Sequence, residues 1–173
     1  MDFERESTHP IYQGRVFSVR QDLVRLPNGH TTKLDIVEHP GAVVLVPVED
    51  DHLWFVRQYR HAAGEALLEL PAGTTEKGED LIACAHRELR EEIGMSAREV
   101  SKIGEFFIAP GYSTEFLHIY LASGLRPDPL PGDDDEFIQV ERIPVAQAYH
   151  LAESGQVRDA KTLAALVLAR PLL

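Results

Sequence analysis

The chain has 173 residues, 44% of them hydrophobic, which suits one domain of ordinary size with a single core. Its 28 Asp and Glu outnumber its 17 Lys and Arg, and the formal charge of -11 argues against a nucleic-acid backbone or an anionic membrane as the main partner. An acidic chain that handled phosphates would have to supply positive charge locally, through a metal ion or a few arginines, and one cysteine, Cys84, excludes an internal disulfide and a cysteine zinc cage.

Met1 to Pro10 is polar and charged, with no signal peptide, and no apolar run approaches membrane-spanning length, so a soluble, cytoplasmic protein is expected. Residues 1–12 read as a loosely held tail. Residues 15–26 alternate, with Val16, Phe17, Val19, Leu23 and Val24 among polar side chains, and Pro27-Asn28-Gly29 turns the chain into a second strand near 32–38. This is an N-terminal hairpin, and a hairpin outside the main sheet must pack on its own domain or on a partner chain. His39-Pro40-Gly41 breaks the pattern before an apolar strand at 42–48, and Glu49-Asp50-Asp51 leads into another at 53–59. Arg57-Gln58-Tyr59-Arg60 closes that strand, where loop-facing side chains are commonly functional. Residues 67–72 form a short strand that delivers the chain to Gly73, and a carbonyl there, such as that of Ala72, would point toward the helix that follows.

That helix is expected over 80–93, a stretch without Gly or Pro and rich in Ala, Leu, Glu and Arg. Glu79 and Asp80 suit its positive start and Gly94 its left-handed exit. At about 100° per residue, Ile82, Ala85, Leu89 and Ile93 make one apolar stripe, and Glu92 and Glu88 stand at its edge, with Glu91 further round. Glu88, Glu91 and Glu92 are spaced i, i+3, i+4, so their like charges repel unless they share a hard divalent cation, for which carboxylate oxygens are natural ligands. Arg87 is placed to pair with Glu91. Cys84, in the same helix, reads as a small, partly buried hydrophobe.

Beyond the helix, strands are expected at 99–108, 116–122 and 137–142, and helices at 144–154 and 159–169, the last capped by Asp159. Residues 109–115 form a turn-rich loop, and the proline-rich, acidic 126–136 a mobile surface loop. There are no internal repeats and no second domain.

From Gly73, five residues lead to Glu79 and seven more to Arg87-Glu88-Leu89, followed by Arg90, Glu91-Glu92, Ile93, Gly94 and Met95. This resembles the signature box of the Nudix hydrolases at every defined position. The flanks resemble one branch, the ADP-ribose pyrophosphatases. Pro110-Gly111-Tyr112-Ser113-Thr114-Glu115, sixteen positions past Gly94, is similar to that branch's loop, Gln58-Tyr59-Arg60 to its strand end, and Leu68-Glu69-Leu70-Pro71-Ala72-Gly73 to its entry to the box.

The resemblance implies an α/β/α sandwich around a mixed sheet, with an N-terminal antiparallel hairpin. It also implies a division into 1–40, the tail and hairpin serving dimerisation, and 41–173, the Nudix domain of a homodimer. The implied reaction is hydrolysis of ADP-ribose to AMP and ribose 5-phosphate with two or three Mg²⁺ or Mn²⁺ ions. The ligands would be Glu88, Glu91 and Glu92 with the Ala72 carbonyl, while Glu79 binds a metal through water or supports the helix, and Arg87 orients Glu91. Arg57 and Arg60 would bind substrate, Arg60 by neutralising diphosphate charge, and Glu115 would bond the terminal ribose hydroxyls. Glu136 is the best match for the general base, with Asp135 and Glu141 as alternatives. Residues 31–38 contain no aromatic to clamp adenine, so Phe17, Tyr12 or an aliphatic surface would have to serve. Another nucleoside diphosphate sugar is therefore the alternative substrate, and a non-catalytic nucleotide-sensing domain the alternative class.

Overall fold

The computed structural model describes residues 2–76, 78–132 and 137–173. The chain divides into two compact units, one taking in the N-terminal residues through Gly41 together with Phe107–Phe116, the other Ala42–Phe106 with Leu117–Leu173.

The first unit is an antiparallel sheet of β1 (Glu4–Gln13), β2 (Ser18–Arg25) and β3 (Thr31–Glu38), in the order β1-β2-β3. The β2–β3 turn closes through Leu26 N–H to His30 O at 2.8 Å. The segment expected as a loose tail is thus a third strand, a correction with a polar cause. The backbone ladder of β1 with β2 runs from Glu4 opposite Arg25 to Gln13 opposite Ser18, Thr8 donates across it to the buried Asp22 at 2.8 Å, and every residue of β1 is exposed, so no apolar alternation betrays it. Pro10 sits beside a register shift, as a residue without an N–H must in a strand. The loop 108–115 is tied to the end of β3: Val37 N–H donates to Tyr112 O at 2.8 Å, Thr114 N–H to Val37 O at 2.9 Å, and His39 N–H to Thr114 Oγ1 at 3.0 Å.

The second unit contains β4 (Ala42–Glu49), β5 (His52–Arg60), β6 (Glu65–Glu69), β7 (Ala72–Thr74), α1 (Leu81–Glu92), β8 (Met95–Phe107), β9 (Phe116–Pro127), β10 (Ile138–Pro144), α2 (Val145–Glu153) and α3 (Ala160–Ala169). Its sheet runs β10-β5-β4-β9-β8, with β6 beside β5 and β7 beside β4. It is mixed, because β4 and β9 are parallel while β4 and β5 are antiparallel. Ala42 to Val46 is buried throughout, which explains why this strand reads as an unbroken apolar run. Val43, Leu45 and Val56 pack on Cys84, Ala85 and Leu89 of α1, whereas α2 packs on β5 and β10 and α3 on β4. Helices therefore cover both faces, the expected α/β/α sandwich.

Several boundaries differ from expectation. The strand foreseen at 67–72 is two strands, broken at Leu70-Pro71, because proline cannot donate to a ladder. Asp80 caps α1 by accepting from Ile82 N–H at 3.0 Å and Ala83 N–H at 3.1 Å, and Gly94 leaves it at φ +70°. Ile82 does not join the buried stripe; it is 38% exposed, and Cys84 is buried instead. The strands foreseen to start at 99 and end at 122 start at Met95 and end at Pro127. The loop foreseen as mobile is partly fixed: Asp128 N–H bonds Gly94 O at 2.9 Å, Leu130 N–H bonds Arg90 O at 3.0 Å, and Arg90 pairs with Asp128 at 3.1 Å. These contacts supply partners to the last carbonyls of α1.

Candidate active site

Helix α1 and strand β7 assemble the site. The arc of α1 that meets the sheet contains Cys84, Ala85 and Leu89, and on its flank two carboxylates, Glu88 at 7% exposure and Glu92 at 6%. Buried carboxylates demand compensation, and the backbone of β7 supplies part of it: Ala72 N–H donates to Glu92 Oε2 at 2.9 Å. The Glu88 carboxyl lies against Gly73 so closely that a Cβ there would stand 1.8 Å from Glu88 Oε1 and 1.9 Å from Cδ. Glycine at this position is a packing requirement set by the carboxylate.

Arg87 organises the remaining acids. Its Nη1 donates to Glu88 at 2.6 Å and to Glu91 at 2.8 Å, and its Nε and Nη2 form a fork on Glu79 at 2.9 and 3.0 Å. The pairing expected with Glu91 is present, and the guanidinium holds two further carboxylates besides. The Arg87 bond pulls the Glu79 carboxyl down to about 2, and the same partner raises the guanidinium above its ordinary value. Burial pushes the Cys84 thiol up to about 12, so it is a packed hydrophobe and not a nucleophile.

Among the described residues, no group of three or more His, Cys, Asp or Glu side chains stands ready-made as a metal cage. The donor set nevertheless suits a hard divalent cation. Glu88, Glu91 and Glu92 offer carboxylate oxygens alone, two of them buried together, and the convergence of Glu79, Glu88 and Glu91 on one guanidinium shows that positive charge is what gathers them.

Arg60 stands at the end of β5, four positions after Val56 and so on the face of the strand that meets α1. Its Nε and Nη2 form a second fork, on Glu69 at 2.8 and 2.7 Å. Glu69 is 1% exposed and also bonds Lys161. Glu69 stands in the motif that enters the box, but the sequence assigns no role to it or to Lys161; a carboxylate inside the apolar run Leu67-Leu68-Glu69-Leu70 is the available signal.

Two expected residues are not brought to the carboxylates. Arg57 alternates with Val56, which faces α1, and Glu141 pairs in register with Phe55, so both belong to the opposite face of the sheet. There they pair at 2.6 Å in a cleft of about 910 Å³ that Arg142, Gln147 and Arg158 also line. Arg57 and Glu141 therefore stand apart from Glu88 and Glu92, on the cleft side of the sheet. Glu115 belongs to the N-terminal unit, where its carbonyl accepts from Ile108 N–H at 3.2 Å. Asp135 and Glu136 lie outside the described residues.

No helix among the described residues is long and apolar enough to cross a membrane. Residues 38–166 match the family model of the NUDIX domain. The chain is 39% identical over 159 residues to an ADP-ribose pyrophosphatase of Bacillus subtilis (strain 168), spanning 90% of this chain and 86% of that protein. It is 36% identical over 162 residues to a methanol dehydrogenase activator of Bacillus methanolicus, spanning 92% and 88%. The crystal structure of an ADP compounds hydrolase superposes with a TM-score of 0.89 at 28% identity, covering 100% of this chain and 95% of that one. The box geometry around Gly73, Arg87, Glu88 and Glu92 and these matches along nearly the whole sequence lead to one conclusion: the chain belongs to the Nudix hydrolase family.

Proposed function

We propose that the chain hydrolyses the pyrophosphate linkage of ADP-ribose to AMP and ribose 5-phosphate, with two or three Mg²⁺ or Mn²⁺ ions at the carboxylates of α1. Nudix hydrolases generally use divalent metal ions. The observation that carries the hydrolytic reading is the buried pair Glu88 and Glu92, packed on Gly73 and Ala72 and bordered by the Arg87 clamp. The substrate reading is supported by the Bacillus subtilis relative, named an ADP-ribose pyrophosphatase, and by the ADP compounds hydrolase of the same fold.

Glu88, Glu91 and Glu92 would hold the cations, with the Ala72 carbonyl assisting. When bound, these ions neutralise charge on the phosphate oxygens and lower the pKa of a water. Arg87 keeps Glu88 and Glu91 in place, and Glu79, kept ionised by Arg87, anchors that clamp from the loop before α1. The water oxygen bonds to one phosphorus while the bridging P–O bond breaks, and the departing phosphate ester carries away the bridging oxygen. Arg60 neutralises charge on the bound diphosphate, and Glu115 bonds the terminal ribose hydroxyls, both by motif. Glu136 remains the proposed acceptor of the water proton.

Two further parts belong to this proposal. The N-terminal residues 1–40 serve homodimerisation, in keeping with the exposed Ile11, Tyr12, Val16 and Phe17. The cytoplasm is the proposed location. The test of function is product analysis with Mg²⁺ and a panel of ADP-ribose, ADP-glucose, GDP-mannose, NADH and 8-oxo-dGTP. AMP released fastest from ADP-ribose supports the proposal; a preference for another member of the panel transfers the same chemistry to that substrate and discards ADP-ribose. Sedimentation showing a monomer at working concentration would remove the dimer.

A further inference from the structure

We infer that Glu69 is a positioning residue, a buried carboxylate that fixes the plane of the Arg60 guanidinium at the end of β5 so that the diphosphate meets an oriented cation; the inference rests on the diphosphate role proposed for Arg60. A carboxylate at 1% exposure between Leu68 and Leu70, both buried, is a costly choice in a strand that an apolar residue would stabilise better. It is accompanied by a complete set of partners. Both of its oxygens engage Arg60, in the planar two-bond geometry that arginine forms and lysine does not. That fork uses one hydrogen each from Nε and Nη2 and leaves three of the five guanidinium donors for another anion.

The fork is itself held from α3. Lys161 bonds Glu69 and, at 2.9 Å, Asp159, which caps α3 by accepting from Thr162 N–H at 3.0 Å. Thr162 Oγ1, fully buried, accepts from Leu70 N–H at 2.8 Å. The residue on the C-terminal side of Glu69 and its carboxylate are therefore both pinned to the first turn of this helix. Lys161 also settles the electrostatics. It offsets the charge of Glu69, while Asp159 is offset by the helix N-terminus, so the positive charge of Arg60 is not cancelled by the partner that orients it. At 40% exposure the Arg60 side chain remains within reach of a ligand.

The test uses the full chain with ADP-ribose, read as kcat and KM with Mg²⁺ and as affinity by titration calorimetry in EDTA, which requires no turnover. Glu69→Asp keeps the charge that compensates Arg60 and Lys161 but withdraws the carboxylate by about 1.5 Å. KM and the calorimetric Kd should both rise about tenfold with kcat within about threefold of the parent. Arg60→Ala should raise KM as well, and adding it to Glu69→Asp should cost no more than Arg60→Ala alone, since Glu69 acts only through Arg60. Glu69→Gln, which breaks the fork without shortening the side chain, should show the same pattern. Parental KM and Kd in Glu69→Asp beside a raised KM in Arg60→Ala would overturn the positioning role and leave the diphosphate role standing. A parental KM in Arg60→Ala would remove the role of Arg60 itself, and this inference with it.

Discussion

A methyl group added at Gly73 is the sharpest probe of the carboxylate site. In Gly73→Ala the new Cβ would stand 1.8 Å from Glu88 Oε1, against 3.4 Å for ordinary contact, so the carboxyl must retreat by about 1.6 Å. Gly73 is not among the glycines with positive φ, so alanine meets no backbone strain, and its stiffer unfolded chain contributes about 0.4–1 kcal/mol in favour of folding. The clash falls on the far end of a flexible side chain, which can swing away while the fold survives. The expected result is a Tm within a few degrees of the parent and a loss of about 100-fold in kcat with Mg²⁺, the order that an ångström of misplacement costs at a reacting centre. Thermal unfolding followed by circular dichroism and steady-state release of AMP measure the two halves. A kcat within about threefold of the parent would refute the reasoning, because the position of Glu88 against Gly73 would then be irrelevant to turnover.

Glu92→Gln keeps an oxygen for the Ala72 N–H but removes the charge; turnover should fall at least about 100-fold while Tm changes little, and unchanged turnover would exclude this carboxylate from the chemistry. Arg87→Ala leaves Glu79, Glu88 and Glu91 without their common partner, so denaturant unfolding should show a loss of stability that added Mg²⁺ partly restores. The Glu69 carboxyl is pushed up by burial but pulled down further by Arg60 and Lys161, to below its ordinary 4.5. A depressed folded-state value means that its stabilisation is present above the unfolded value and is lost as pH falls through the folded one. The stability difference between the parent and Glu69→Gln, from urea titrations, should thus be constant above about pH 5 and shrink below it; a difference that grows on acidification would contradict the assignment. Cys84 should resist a thiol reagent at pH 8 in the native protein and react on unfolding, and fast native labelling would show that it is not buried.

The box was legible because its chemistry is local. Asp80, Arg87, Glu88, Glu91, Glu92 and Gly94 lie on one helix and its ends, where a fixed rise and turn convert spacing into geometry. The same holds for the cap at Asp159 and for the continuous apolar strand of Ala42 to Val46. Strand β1 is not legible because its order comes from a backbone ladder with β2 while all its residues stay exposed, a pairing that no alternation within residues 4–13 announces. Ile82 was misplaced because the sheet selected Cys84 for the buried arc, a matter of how the helix is rotated against Val43, Leu45 and Val56.

What the sequence by itself determined was the composition of the site: which carboxylates share a helix face, which arginine stands among them, and the order of strands and helices around them. What only the tertiary structure decided was which residues from distant segments join that helix and which do not. Arg57 and Arg60 are three positions apart on one strand, and the alternation of side chains puts the first on the far face of the sheet and the second on the face that meets α1. Glu69 and Lys161 are separated by 92 positions and meet at one carboxylate. Sequence spacing fixes direction within an element, but the choice between faces, and the pairing of buried charges between elements, follows from how the elements pack.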